Sequence, residues 1–141
     1  RALTIAVLAI DIHGFKGINE ELGYKAGDLV LRKTAERMKR VLGEKAILSR
    51  YGSDSFFVCL AGVDRVSAEA FAARIHEEFA YKPIDVFGRA VSIRVCIGGA
   101  VSHVDRMIKK LPEIALNTVE EISSRPGFSA IVDVGQFYGS K

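Results

Sequence analysis

The stretch Arg50-Tyr51-Gly52-Ser53-Asp54-Ser55-Phe56-Phe57 reads as the tip of a tight β-hairpin. Ala46 to Tyr51 leads in and Phe56 to Leu60 leads out, both rich in residues that favour strands. The residues between them, Gly52 to Ser55, are small or acidic and tolerate turn geometry. An acid at a hairpin tip stays near solvent, where it can meet a ligand or a metal. The plain alternative is that Asp54 is only a turn residue.

Upstream, Leu3 to Ile10 is an almost unbroken apolar run ending at Asp11, the pattern of a central strand covered on both faces. Asp11-Ile12-His13-Gly14-Phe15-Lys16 then leaves the strand. A short helix is expected near Ile18 to Leu22, stopped by Gly23. Gly27-Asp28 is read as opening a longer helix to about Leu42, with Leu31, Ala35, Met38 and Leu42 at helical spacing and Gly43 as its stop.

Downstream of the hairpin, Ser67 is the expected N-cap of a helix to about Ala80, with Phe71, Ile75 and Phe79 on one stripe. Ile84 to Phe87 and a Gly88-Arg89 turn suggest a hairpin. Val91, Ile93, Val95 and Ile97 alternate as one strand, which Gly98-Gly99 should end. A last helix is expected from Asp105 to about Ser124, interrupted or started by Pro112. Arg125-Pro126-Gly127 is a loop, and Ala130 to Val134 a short final strand.

This order contains β-α-β-β-α-β, the ferredoxin-like α+β arrangement: a mostly antiparallel sheet with helices on one face. In it the first strand lies beside the central hairpin, so Asp11 and Asp54 converge at one sheet edge. Two converging carboxylates suit a hard divalent cation, and magnesium commonly takes one or two carboxylates with phosphates and waters. Such an ion polarises an attacked phosphorus and stabilises a leaving pyrophosphate. Lys16 stands close enough in sequence to reach a phosphate oxygen.

The chain has 141 residues, 49% hydrophobic, with net charge +3 and a pI near 9.0. That suits one globular domain, residues 1–141, with a core of its own. The mild positive charge fits a phosphate-bearing ligand. No basic cluster is dense enough to indicate nucleic acid; Arg32, Lys33, Arg37, Lys39 and Arg40 read as a solvated helix face. Cys59 and Cys96 lack metal-type spacing and read as buried free thiols of a reducing, cytoplasmic compartment. No apolar run is long enough to span a bilayer, so no membrane contact is expected of this domain. The first residue, Arg1, suggests a piece excised from a larger protein.

Three motifs in order resemble the GGDEF domain of diguanylate cyclases: Asp11-Ile12-His13-Gly14-Phe15-Lys16-Gly17-Ile18-Asn19; then Gly23, Gly27-Asp28 and Leu31; then Arg50-Tyr51-Gly52-Ser53-Asp54-Ser55-Phe56. The family pattern is D-x-D-x-F-K-x-I-N, G-x-x-x-G-D-x-x-L and R-x-G-G-D/E-E-F. The resemblance covers nearly the whole chain, without the usual N-terminal lead-in helix. It implies a fold like the palm of nucleotidyl cyclases and polymerases, with an added helix and a C-terminal hairpin or strand. It also implies GTP and Mg2+ as ligands, a homodimer in which two GTP condense into cyclic di-GMP, and linked sensor or EAL-type phosphodiesterase domains.

By the same resemblance, Asp11, the carbonyl of Ile12 and Asp54 match metal ligands. Asn19 and Asp28 match the pair that reads guanine, and Lys16 and Arg50 match basic positions. The departures are specific. Ser53 replaces a glycine and Ser55 an essential glutamate; His13 replaces an aspartate and Tyr24 a histidine. Glu120 stands where a lysine is usual, reversing the charge beside a triphosphate, and Arg125 is a partial substitute in uncertain register. Gly43-Glu44-Lys45-Ala46 stands where the inhibitory R-x-x-D is usual. The resemblance therefore implies a degenerate signature, Gly52-Ser53-Asp54-Ser55-Phe56, with no functional catalytic residue expected. The chain would be a regulatory, dimerising or GTP-sensing module; the alternative is an active diguanylate cyclase.

Overall fold

The computed structural model describes residues 3–134. The ends of the domain expected over 1–141, Arg1 among them, lie outside the described residues. Strand β1 (Ile5–Ile12) is followed by helices α1 (Phe15–Leu22) and α2 (Tyr24–Leu42). The hairpin β2 (Ala46–Tyr51) and β3 (Ser55–Ala61) leads to α3 (Arg65–Tyr81). Then come β4 (Ile84–Val86), β5 (Arg89–Val91), β6 (Val95–Ser102), α4 (Asp105–Ile108), α5 (Leu111–Glu121) and β7 (Ser129–Asp133).

The main sheet has the order β2-β3-β1-β6-β7. Its first four strands pair antiparallel, the ferredoxin-like order, and β7 adds in parallel to β6. The expected α+β class and the expected neighbourhood of first strand and hairpin are both present. Strands β4 and β5 form a separate small sheet.

The helices lie on both faces of the sheet, not on one. Leu8, Ile10 and Ile12 of β1 pack into a core with α2 and α3, through Val30, Met38, Ile75 and Phe79. Val7 and Ala9, pointing the opposite way, pack with Met107, Leu111, Ala115 and Val119 of α4 and α5. A strand buried on both sides needs an unbroken apolar run, and β1 has one. Arg37 of α2 ties down the end of α3 through the carbonyls of Lys82 and Pro83.

Several boundaries differ from expectation. Asp11 lies at the end of β1 as expected, and the strand runs one residue further, to Ile12. Helix α2 begins at Tyr24, so Gly27 is buried within it instead of opening it. Asp64 is the N-cap of α3 and accepts the amide of Ser67 at 2.8 Å; Ser67 is the donor, not the cap. The small hairpin turns at Phe87-Gly88, both with positive φ, one residue earlier than expected. The expected strand from Val91 to Ile97 is broken at Ser92–Arg94, and β6 runs through Gly98-Gly99 to Ser102. Pro112 sits in the first turn of α5, where its missing N–H costs nothing.

Thr34 of α2 is fully buried and its hydroxyl has no hydrogen-bond partner among the described residues. A buried hydroxyl without a partner carries a desolvation penalty. Thr34→Val keeps the shape and removes the polar atom. It should stabilise the domain by about 1 kcal/mol, read as a higher urea midpoint with an unchanged slope; a lower midpoint would refute it.

Candidate functional site

The register of β1 against β3 builds the site. Asp11 pairs with Ser55, and the amide of Ile12 donates to the carbonyl of Asp54 at 3.1 Å. The strand-borne acid and the hairpin-borne acid are thereby held side by side. Between them stands Ser55, whose hydroxyl donates to Asp11 Oδ1 at 2.6 Å and approaches Asp54 Oδ1 at 3.4 Å. The first contact is short and charge-assisted; the second is at the edge of hydrogen-bond range.

Helix α5 supplies a third acid. Glu120 lines one cavity of about 230 Å3 with Asp11, Ser55, Tyr51 and Leu116. Burial pushes the Asp11 carboxyl above its ordinary value; the Ser55 hydroxyl pulls it back, and the charges of Asp54 and Glu120 push it further up. A raised folded-state pKa means that ionising Asp11 weakens the fold. Its favourable share is complete below the unfolded value of 3.8 and is lost as pH rises through the higher folded value. Asp11→Asn should therefore raise the melting temperature at about pH 7 but leave it unchanged near pH 3. Equal gains at both pH values would refute this origin.

The guanine-reading pair expected from sequence is split in character. Asn19 of α1 is half-buried, and a Cβ on Gly27 would fall 1.8 Å from its Oδ1. Gly27 is thus a helix glycine that makes room for Asn19. Asp28, the next residue of α2, is exposed. Lys16 on α1 and Arg50 on β2 are exposed, and neither has an ion-pair partner among the described residues. At the hairpin tip the positive φ falls on Gly52 (+66°), while Ser53 lies outside the left-handed region. Ser53 is accordingly not strained in this turn.

Three neighbours escaped sequence reading. Tyr51 lines the acidic cavity and its ring tilts against Phe57 at 5.1 Å. Cys96 is the β6 partner of Asp11, and its thiol faces the carbonyls of Ser123 and Arg125. Arg94 accepts the amide of His13 on its carbonyl at 2.8 Å. All three depend on cross-strand register, which leaves no local signal.

The two acids, with the Ile12 carbonyl, are the groups that would hold a magnesium ion. Two carboxylates fall within what magnesium uses when phosphates complete its shell. The Ser55 hydrogen bond occupies one Asp11 oxygen, and among the described residues no cluster of three metal-ligating side chains is present. The fit is that of a reduced site.

Residues 1–124 match the family model "Diguanylate cyclase, GGDEF domain". The chain is 33% identical over 123 residues to Diguanylate cyclase A of Treponema denticola, covering 81% of this chain and 33% of that protein. It is 29% identical over 96 residues to the bifunctional diguanylate cyclase/cyclic di-GMP phosphodiesterase MucR of Pseudomonas aeruginosa, covering 68% of this chain and 14% of that protein. The chain thus spans a third or less of these relatives. Among solved structures, an EAL/GGDEF domain protein from M. capsulatus superposes with a TM-score of 0.81 at 30% identity, covering 91% of this chain and 84% of that one. The active GGEEF domain of a diguanylate cyclase from Vibrio cholerae superposes at 0.80 with 23% identity, covering 91% and 82%, a likeness of fold. The hairpin, the paired acids and these matches agree: the chain belongs to the GGDEF domain family of diguanylate cyclases.

Proposed function

We propose that this domain is a degenerate GGDEF module of a cyclic di-GMP signalling protein, regulatory, dimerising or GTP-sensing, without useful cyclase activity. The observation that carries the reading is Ser55 between Asp11 and Asp54. A hydroxyl there neutralises part of the acid pair by hydrogen bonding, where a glutamate would add a third charge for a metal. Glu120 supports the reading from the opposite wall: a carboxylate in that cavity repels a triphosphate instead of clamping it. GTP, where it binds, is expected to use Lys16, Asn19, Asp28 and Arg50, with Mg2+ at Asp11, Ile12 and Asp54. The parent protein is proposed to be multidomain and cytoplasmic at this domain, carrying sensor or EAL-type partners. No described helix is long and apolar enough to cross a membrane.

The convergence of Asp11 and Asp54 favours the second reading, a working diguanylate cyclase that condenses two GTP with magnesium. Calorimetric titration with GTP and Mg2+, run beside chromatography for cyclic di-GMP, separates them. Binding without product supports a GTP sensor, absence of both supports a dimerising scaffold, and product overturns the degenerate assignment.

A further inference from the structure

A second cleft lies away from the carboxylates, between α3 and the turn that enters β7. Its volume is about 310 Å3, and Arg94, His76, Glu77, Tyr81 and Gly127 are on its walls. That is the small end of the range for ligand cavities. Among the described residues Arg94 has no carboxylate partner. Its guanidinium donates to the Pro126 carbonyl at 3.3 Å, leaving most of its five donors for another group.

The turn is shaped to hold that guanidinium. A Cβ on Gly127 would lie 2.5 Å from Arg94 Nη2, and Gly127 has φ +86°. The positive φ favours glycine there, and the arginine end lies across it. On the facing helix, His76 Nε2 is 2.7 Å from Ser129 Oγ, which fixes the ring. Burial pushes the His76 pKa down and the Arg94 charge pushes it further, against the backbone of Phe128, which favours the charged form. Arg94 is thus the fixed cation of the cleft, His76 beside it is shifted towards its neutral form, and Glu77 is the acid on the wall among the described residues.

We propose that this cleft binds a small phosphate dianion, as inorganic phosphate or as the head of a phosphomonoester, with Arg94 as the forked donor and His76 as the second. A planar guanidinium matches two phosphate oxygens, and an imidazole that gains a proton on binding matches the remaining charge. The other groups around the cleft are Tyr81 on the His76 helix and Arg94 before β6. An anion bound beside the ring favours its charged form, so occupancy should raise the His76 pKa. The inference does not rest on whether the domain binds GTP.

The test is titration of the chain with inorganic phosphate and, separately, methyl phosphate, followed by calorimetry and by the NMR titration of the His76 ring. Saturable heat and an upward shift of the His76 pKa are expected. Arg94→Ala should weaken binding at least tenfold, and His76→Gln several-fold. Equal binding of both probes supports a monoester head; preference for inorganic phosphate supports the free ion. Arg94→Lys keeps the charge without the fork and should give intermediate binding, which also serves if Arg94→Ala does not fold. Absence of heat and of any His76 shift, or binding unchanged in folded Arg94 and His76 variants, would overturn the proposal.

Discussion

Gly98→Val is expected to prevent the domain from folding under ordinary conditions. Gly98 sits in the middle of β6, on the sheet face covered by α5, opposite Ala9 of β1. A Cβ built there lies 2.3 Å from the Val119 amide nitrogen, 2.7 Å from Val119 Cα and 2.8 Å from the Ala115 carbonyl oxygen. All three atoms are helix backbone, so no side chain can rotate away. Valine would have to lift α5 off the sheet, and with it Leu111, Ala115 and Val119, which are buried against Val7 and Ala9. Overpacking a core costs about 1–3 kcal/mol and occasionally more; where only helix backbone can give way the cost lies above that range, a large share of the roughly 5–15 kcal/mol that holds a domain together.

Gly99→Ala is the internal control. Its Cβ meets the Leu8 Cδ2 methyl at 2.7 Å and Ile131 Cγ1 at 3.1 Å, mostly side-chain atoms that can adjust. Circular dichroism and chemical unfolding should show Gly98→Val unfolded or molten and Gly99→Ala folded with a lowered midpoint. A Gly98→Val chain with native stability would mean that α5 does not press on the sheet as described, and Glu120 would lose its place beside Asp11.

That glycine also shows where sequence reading succeeds and fails. Gly98-Gly99 has the local appearance of a strand terminator, because glycine usually marks a turn or bulge. Its actual role, admitting a helix backbone, depends on an element that arrives later in the chain. Gly27 misleads in the same way: it looks like a helix opener and is instead a gap for Asn19. The hairpin was legible because its signals are local, β-formers on each side of a Gly-Ser-Asp tip. The two-sided packing was legible in one place only. The continuous apolar run of β1 implied cover on both faces, whereas the element order alone suggested one, and the run was the better guide. Within the site, Asp11 and Asp54 could be paired from topology. The Ser55 hydroxyl between them could not, because it follows from a one-to-one register that no local pattern encodes.

On the proposed reading, the combined variant Ser53→Gly, Ser55→Glu and Glu120→Lys is expected to gain cyclic di-GMP synthesis that the parent chain lacks. Ser55→Glu replaces a donor to Asp11 by a carboxylate and turns the hydrogen-bonded pair into a site of three acids at the β1–β3 edge. Glu120→Lys places a cation on the wall of the same cavity, where it attracts phosphate and offsets the added charge. Ser53→Gly has the smallest share, since Ser53 needs no positive φ in this turn; it only clears the approach of a nucleotide to the hairpin. Groups that act together on one metal and one phosphate are not additive, so each single change should give little and the set should give most. An increase of about 100-fold or more in product over the parent is the scale expected for restoring charge stabilisation at a reacting phosphate. Chromatography of the reaction with GTP and Mg2+ reads it directly, and Asp11→Asn in the same background should abolish it. If the combined variant binds GTP and still yields no product, erosion at these three positions is not what separates this domain from a cyclase. If the unmodified chain makes product at a comparable rate, Ser55 is compatible with catalysis and the second reading takes its place.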